Sequence, residues 1–478
     1  MPADSVTIQQ YRTDYAPGDL SSTVGLPQSC RTSSSTILSV DEALRIINDQ
    51  TPKPVAVETS VTTSVIGSVI AEDVYSAGMV PTCHASAVDG YAITVEERTI
   101  TKGDLPRISS VNTNASERLG PLQPGSVVRT TISSPHPPNA NAVIRIEDAY
   151  QVGPEKGLVK NLTDDTILGK DVRAPGSYIA EKSQIFARGD IISSVGGAVS
   201  LLAMAGVPTI KVFEKPRVGV LSISDGITEY TRQLSDASRL AVISGLVSCG
   251  FEFEDLGVAH STSHCELEYA LRTRTHLILI IKDISTNDQD FKSTIEWTLG
   301  GFIHFDQVHM KPSRQTLFAT IPVNATENPL TGQILRPLFS LPNDPTSALV
   351  AFNLFVLPSL NKLSGLDESY TNTAAKPWAK PQLGLPRVAV VLTHHFPLDP
   401  KKTDYHLAVV TGSRSDARLY ATSINAKNTG AQGSYATGSV KANALIILRA
   451  GRGVGIKGEI VEALLMGPVH GSDVRLIC

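Results

Sequence analysis

RVGVLSIS (217–224), HLILII (276–281) and ILRPLFSLPNDPTSALVAFNLFVLPSL (334–360) are the stretches whose reading decides the fold. Each opens on a short apolar or β-branched run of strand length, bounded by polar or turn residues. Between residues 216 and 365, further strands are read at EDLGVA (254–259) and FIHFDQV (302–308). Helical patterns lie between them at SRLAVISGLVSCG (238–250), ELEYALRTRT (266–275) and FKSTIEWTLG (291–300). This alternation predicts a mainly parallel sheet covered by helices. Ligands of such sheets sit beyond the carboxyl ends of the strands. Here that edge carries Asp225, then Lys282 and Asp283, then Pro342-Asn343-Asp344-Pro345 leading into a long helix.

Working outward, Ser39-Val40-Asp41-Glu42 matches a helix capping box, and Ala43, Leu44, Ile46 and Ile47 supply the apolar stripe that should follow it. Residues 1–37 are rich in Ser, Thr and Gln without apolar periodicity, which predicts a flexible leader. From about 54 to 165, runs such as SVVRTTI (126–132) and AVIRIED (142–148) broken by Gly, Pro and Asn predict a β-rich module. The stretch ARGDIISSVGGAVSLLAMAGVPTIKV (187–212) reads as strand, small-residue helix and strand, returning toward the first helix. The expectation is an α/β multidomain chain. It comprises an elongated α+β first domain (38–80 and 165–215), a β-rich second domain (81–164) and the central parallel-sheet domain (216–366). A linker (367–383) leads to a C-terminal β-barrel (384–478), with a small sandwich as the alternative.

Composition narrows the function classes. A chain of 478 residues exceeds the size at which one core keeps growing, and 41% hydrophobic with 18% charged residues is the balance of a globular protein. A net charge of -4 gives no general attraction to nucleic acid or an anionic membrane. No run reaches the roughly 18 uninterrupted apolar residues of a membrane span. The start lacks the basic-then-apolar order of a secretory signal, so a cytoplasmic address is expected. The cysteines (Cys30, Cys83, Cys249, Cys265 and Cys478) lack zinc-ligand spacing and read as reduced thiols. The sequons at Asn114, Asn161 and Asn324 read as chance matches.

Carboxylates at a sheet edge suit Mg²⁺, which takes one or two protein carboxylates and completes its shell with water and phosphate oxygens. Asp225 and Asp290 are the candidates, with Lys311 and Arg314 available to neutralise a phosphate or oxyanion. From spacing alone, helix capping and solvated surface charge account for the same residues more simply. Asp89 reads either as functional or as an Asx turn with Gly90.

The same stretches resemble the molybdenum insertase family, the MoeA and gephyrin E-domain type. SAVDGYAI (86–93) is similar to its SxxDGYA motif, and NANAVIRIEDA (139–149) to GADAVVxxED. GVLSISD (219–225) resembles AILSTGDEL, and HMKPSRQTLFA (309–319) resembles xMKPGKPxxFA. SLPNDPTSALVAFNLFVLPSL (340–360) resembles GLPGNPVSAxVxFxxFVxPxL. The matches run in family order from about residue 38 onward. The resemblance implies four domains per subunit, a homodimer and a MogA-like central domain holding molybdopterin-AMP. It implies insertion of molybdate into the dithiolene with Mg²⁺ assistance and release of AMP. It also implies a separate molybdopterin adenylyltransferase, the G-type domain, acting in trans. Carried over, it assigns chemistry to Asp89, Asp225, Asp290 and Lys311, with Asp225 and Asp290 on the metal. Substrate contacts fall to Ser224, Asp236, Arg239, Ser285, Arg314, Pro342, Pro345 and Ser347.

Several loops depart from the family pattern. TGDE is Ser224-Asp225-Gly226, GGVS is Lys282-Asp283-Ile284-Ser285, and PGNP is Pro342-Asn343-Asp344-Pro345. PGKP is Pro312-Ser313-Arg314-Gln315 and TGAP is Ile132-Ser133-Ser134-Pro135. A residue with a Cβ at a positive-φ position costs roughly 1 to 2 kcal/mol. Added acids should weaken phosphate binding more than cation binding. Two readings therefore stand: a divergent insertase, and a catalytically impaired, gephyrin-like dimeric scaffold. In gephyrin an aromatic residue on the first ordered helix anchors a receptor peptide, and Leu44 stands at that position here.

Overall fold

The structure is a computed structural model. It describes residues 37–95, 107–108, 120–122, 126–152, 158–161, 168–224, 229–260, 268, 271–282, 288–323, 335–366, 383–413, 416–424, 441–451, 453–471 and 475–476. Helix α1 (Val40–Gln50) begins with the expected capping box: Ser39 Oγ accepts from the Glu42 amide at 3.2 Å, and the Ser39 amide donates to Glu42 Oε2 at 2.9 Å. Those bonds hold the Glu42 carboxyl below its usual range. Strand β1 (Ala56–Ser60) follows. In the second module, β2 (Gly90–Ile93) lies between β3 (Ser126–Thr130) and β4 (Ala142–Arg145), antiparallel to both. After α2 (Ala198–Met204), β5 (Thr209–Phe213) returns to pair antiparallel with β1, from Ala56↔Phe213 to Ser60↔Thr209.

The central sheet is built from β6 (Arg217–Ser224), β7 (Glu252–His260), β8 (Leu277–Lys282), β9 (Phe302–Phe305), β11 (Leu317–Pro322) and β12 (Leu335–Pro342). Their order is β7-β6-β8-β12-β11-β9. The first four are parallel; β11 pairs antiparallel with β12 and with β9, so β11 alone of the six runs in the opposite sense and FIHFDQV provides an edge strand of the same sense as β8. Every residue of β8 is buried, as a strand covered on both faces requires. Helix α3 (Glu229–Ser248) connects β6 to β7, and α4 (Asp288–Ser293) follows β8. The short β10 (Met310–Lys311) leaves this sheet and pairs with the C-terminal region.

The long apolar stretch forms α5 (Pro345–Ala351), a π-helical turn (Phe352–Val356) and α6 (Leu357–Leu363). Pro358 sits in the first turn of α6, so the wider turn before it accommodates a residue without an amide proton. The combined 19-residue helix is long and apolar enough to cross a membrane, but 67% of its apolar window is buried inside the protein, where it acts as a core helix. The C-terminal strands β13 (Arg387–Leu392), β14 (Thr403–Gly412), β15 (Leu419–Ser423), β16 (Ala444–Leu448) and β17 (Ile460–Leu465) close on one another in the order β13-β17-β16-β14-β15-β13. The result is a five-stranded barrel rather than a sandwich.

One core cluster joins these parts. It combines Val40, Ala43 and Ile47 of α1 with Val220, Leu279 and Phe339 of the sheet and Phe352 and Phe355 of the long helix. Tyr405, Leu407 and Ile447 on the outside of the barrel complete it. The barrel is thus welded to the central layer, while α2 packs in a separate cluster with Val65, Ile70 and Val212. The turn after α6 packs on that first module, with Leu366 against Val69, Ala71 and Phe213. A Cβ on Gly365, whose φ is +89°, would lie 1.9 Å from the Phe213 ring.

Candidate functional site

From β6 the chain moves outward to β7 and then crosses back to β8 on the other side, so strand order reverses between β6 and β8. Open sheets of this kind leave a crevice at the carboxyl ends beside such a switch. Next to it, beyond β8 and β12, lies a cavity of about 200 Å³ lined by Lys282, Phe291, Lys292, Asp306, Gln315 and Pro342. Lys282 ends β8 and is buried, with its ammonium 4.8 Å from the Phe291 ring centroid, in cation–π range. Lys292 of α4 pairs with Asp306 at 2.7 Å, each about three-quarters buried. The walls therefore offer two ammonium groups, one carboxylate and the amides of Gln307 and Gln315 around a polar opening. A small, highly charged anion is the kind of group such a set can hold.

The expected site residues distribute unevenly around this cavity. Asp225, Asp283 and Ser285 lie outside the described residues, as does the side chain of Asp236 on α3; Ser224 closes β6. Pro342 lines the cavity. Asp290 is exposed on α4 beside Phe291 and Lys292, and its carbonyl accepts from Ser293 Oγ and Thr294 Oγ1 at 2.9 Å each. Arg239 reaches from α3 to the edge strand, where its guanidinium meets both carboxylate oxygens of Asp255. Pro345 occupies the first turn of α5. There Asp344 is the helix cap, accepting from the Ser347 amide at 2.8 Å and the Ser347 hydroxyl at 2.6 Å. The added acid thus satisfies one orphan amide at the helix start, with an ordinary extended φ of -129°.

The loop after β10 takes a left-handed turn without glycine. Ser313 has φ +65°, a left-handed conformation, and is buried with Oγ donating to the Ser347 carbonyl at 2.6 Å. In the second module, Ser133 has φ +66°. Both serines thus hold a backbone conformation that glycine adopts without cost, and at Ser313 a side-chain bond offsets the strain. Arg314 is exposed, and its carbonyl accepts from the Val308 amide at 2.8 Å. Lys311 lies outside the cavity lining: its ammonium is 3.6 Å from Asp404 Oδ2 on the barrel strand β14.

Asp89 belongs to the second module and does not line this cavity. Its Oδ1 accepts from the Ile132 amide at 2.7 Å, so a tertiary bond ties the DGYA turn to the Ile132-Ser133-Ser134-Pro135 turn. The following Gly90 is required by packing, because a Cβ would sit 2.0 Å from the Ile144 carbonyl oxygen of β4. Sequence reading missed Phe291, Lys292, Asp306, Gln315 and Asp404. Lys292 and Asp306 are separated by a helix and a strand, and no local periodicity links them.

Comparison with known proteins agrees with this architecture. The family model for the MoeA N-terminal region (domain I and II) matches residues 38–206. Gephyrin of Dictyostelium discoideum is 28% identical over 92% of this chain, which spans 64% of that protein's length. A molybdopterin molybdenumtransferase of Haemophilus influenzae is 25% identical, covering 89% of this chain and 98% of its own. Among solved structures, a molybdopterin biosynthesis MoeA protein from Pyrococcus horikosii superposes with a TM-score of 0.64. It is 21% identical and covers 90% of this chain and 99% of its own.

Proposed function

The chain belongs to the MoeA and gephyrin-type family, and from that premise we propose that it acts in molybdenum cofactor biosynthesis as a molybdopterin molybdenumtransferase. Its substrates on this reading are molybdopterin-AMP and molybdate. The two dithiolene sulfurs replace oxygens of molybdate, which leave as water, and a water molecule cleaves the phosphoanhydride bond so that AMP leaves. The observation that carries the reading is the cationic cavity beyond the carboxyl ends of β8 and β12, beside the point where strand order reverses.

Each residue has a task within it. Lys282 and Lys292 neutralise the phosphate end of the substrate from inside the cavity, and Pro342 walls it. Lys311 and Arg314, exposed on the adjoining loop, receive the incoming oxyanion. Mg²⁺ would be held by Asp225 and Asp290. Such an ion takes one or two protein carboxylates and keeps most of its water shell. Asp290 is exposed next to the cavity wall and fits that role. When bound, the cation supplies charge neutralisation at the phosphate oxygens. Asp89 would complete the cleft from the second module. The reading includes a soluble, cytoplasmic homodimer of four-domain subunits with a MogA-like central domain, fed by an adenylyltransferase in trans.

The second reading, a dimeric scaffold, is supported by a different feature. A cavity of about 360 Å³ between α1, the long helix and the barrel is lined by Leu44, Asn48, Leu354, Pro358, Arg387 and Leu464. The deciding experiment is complementation of a cell lacking its molybdenum insertase, read as molybdoenzyme activity. Rescue by wild type and loss with Asp225→Ala or Lys282→Met is the expected result. Failure of a well-expressed, dimeric wild type overturns the enzyme reading and favours the scaffold.

A further inference from the structure

We propose that Asp404 is a positioning residue for Lys311, with His406 behind it bonded to Ser423, so that the C-terminal barrel aims the lysine that receives the oxyanion. The proposal rests on the function above only for that task of Lys311. The contact itself is independent of it.

Side chains alternate along β14. Tyr405 and Leu407 face the central layer, whereas Asp404 and His406 share the other face with Ala408 and Val410, which belong to the barrel core. Burying a carboxylate on that face is costly unless it is partnered. Lys311↔Asp404 is a register pair where β10 meets β14, and the Lys311 ammonium stands 3.6 Å from Asp404 Oδ2. The Asp404 side chain is 9% exposed and that of Lys311 59%, so the acid is fixed in protein while the cation remains open to a ligand.

Behind the acid, His406 Nδ1 is 3.8 Å from the same Oδ2, and its Nε2 is 2.7 Å from Ser423 Oγ on β15. The imidazole and the Phe396 ring meet at 86° with centroids 5.6 Å apart, and His394 stacks on Phe396 at 4.3 Å. A second tie secures the loop, since His309 Nε2 contacts the Lys401 carbonyl at 2.7 Å. The other nearby carboxylate, Asp399, is engaged by the Lys401 and Lys402 amides.

A lysine head on a four-carbon stem is poorly ordered until something holds it. Partners behind a ligand-binding group are how sites fix its orientation before the ligand arrives. Here the partner comes from a different domain, so the barrel and the MKP loop form one unit.

The test uses the full chain as wild type, Asp404→Asn, His406→Gln, Lys311→Ala and the Asp404→Asn/Lys311→Ala double variant. Lys311 acetylation by a water-soluble amine reagent is followed by mass spectrometry, and inorganic molybdate binding by calorimetry. Asp404→Asn should speed Lys311 acetylation and weaken molybdate binding about fivefold, the effect of losing a partly exposed ion pair. His406→Gln should act in the same direction to a smaller extent. In the Lys311→Ala background, Asp404→Asn should weaken binding no further, which a merely structural role would not produce. Unchanged acetylation, or tighter molybdate binding by Asp404→Asn, overturns the proposal. Should Lys311→Ala leave molybdate binding intact, the task assigned to Lys311 fails, and the acetylation rates still decide the positioning contact by themselves.

Discussion

Ser313 offers a test in which two effects of opposite sign sit on one residue. Its backbone is left-handed at φ +65°, which costs a residue with a Cβ roughly 1 to 2 kcal/mol. Its buried hydroxyl donates to the Ser347 carbonyl at 2.6 Å, a bond worth about 1 kcal/mol net. Ser313→Ala keeps the strain and loses the bond, so it should destabilise by about 1 to 2 kcal/mol. Ser313→Gly loses both, the two changes nearly cancel, and stability should stay within about 1 kcal/mol of wild type. The chain has several modules, so the quantity to compare is the shift of the calorimetric transition that includes the central layer. A lowering of about 2 to 5 °C for alanine and little change for glycine are expected. Equal stability of the two variants, or a glycine variant below the alanine one, would refute the argument that the lost family glycine has left its conformation behind.

Asp344→Ala should cost about 1 kcal/mol through loss of the cap on α5, measurable by denaturant unfolding, while Asp344→Asn should cost less because the amide oxygen still accepts. Gly365→Ala should lower stability by about 2 to 4 kcal/mol, because the new Cβ meets the buried Phe213 ring and the φ of +89° is strained for alanine. An unaltered melting profile would mean the contact between α6 and the first module is loose. His304 is held by burial at a pKa of about 4, against 6.5 in the unfolded chain. Below pH 6.5 the unfolded chain takes up the proton first, so this group's share of stability is complete above pH 6.5 and is lost as pH falls toward 4. The loss approaches about 3 kcal/mol, and His304→Gln should flatten that part of the stability–pH curve.

Much of the fold was legible because its signals are local. The β-branched runs at 217–224 and 277–282, the capping box at Ser39 and the Pro/Asn/Asp break at 342–345 each act over a few residues, and the structure has a strand, a capped helix and a helix start at those places. The family motifs carried further still, because they order the modules along the chain. What the chain could not announce is which distant groups meet. Lys292 finds Asp306 only because α4 and β9 lie over the same sheet end. Lys311, read as a free cation, faces Asp404 because β10 leaves its own sheet to pair with the barrel. Asp344, read only as an added acid, caps the helix that begins at the next residue, and Ser347 three residues on supplies the amide and hydroxyl it accepts from. Periodicity and turn chemistry are properties of neighbours in sequence, so they specify elements. Ion pairs, cavities and helix–ring collisions depend on how the elements pack, and only the tertiary structure decides those.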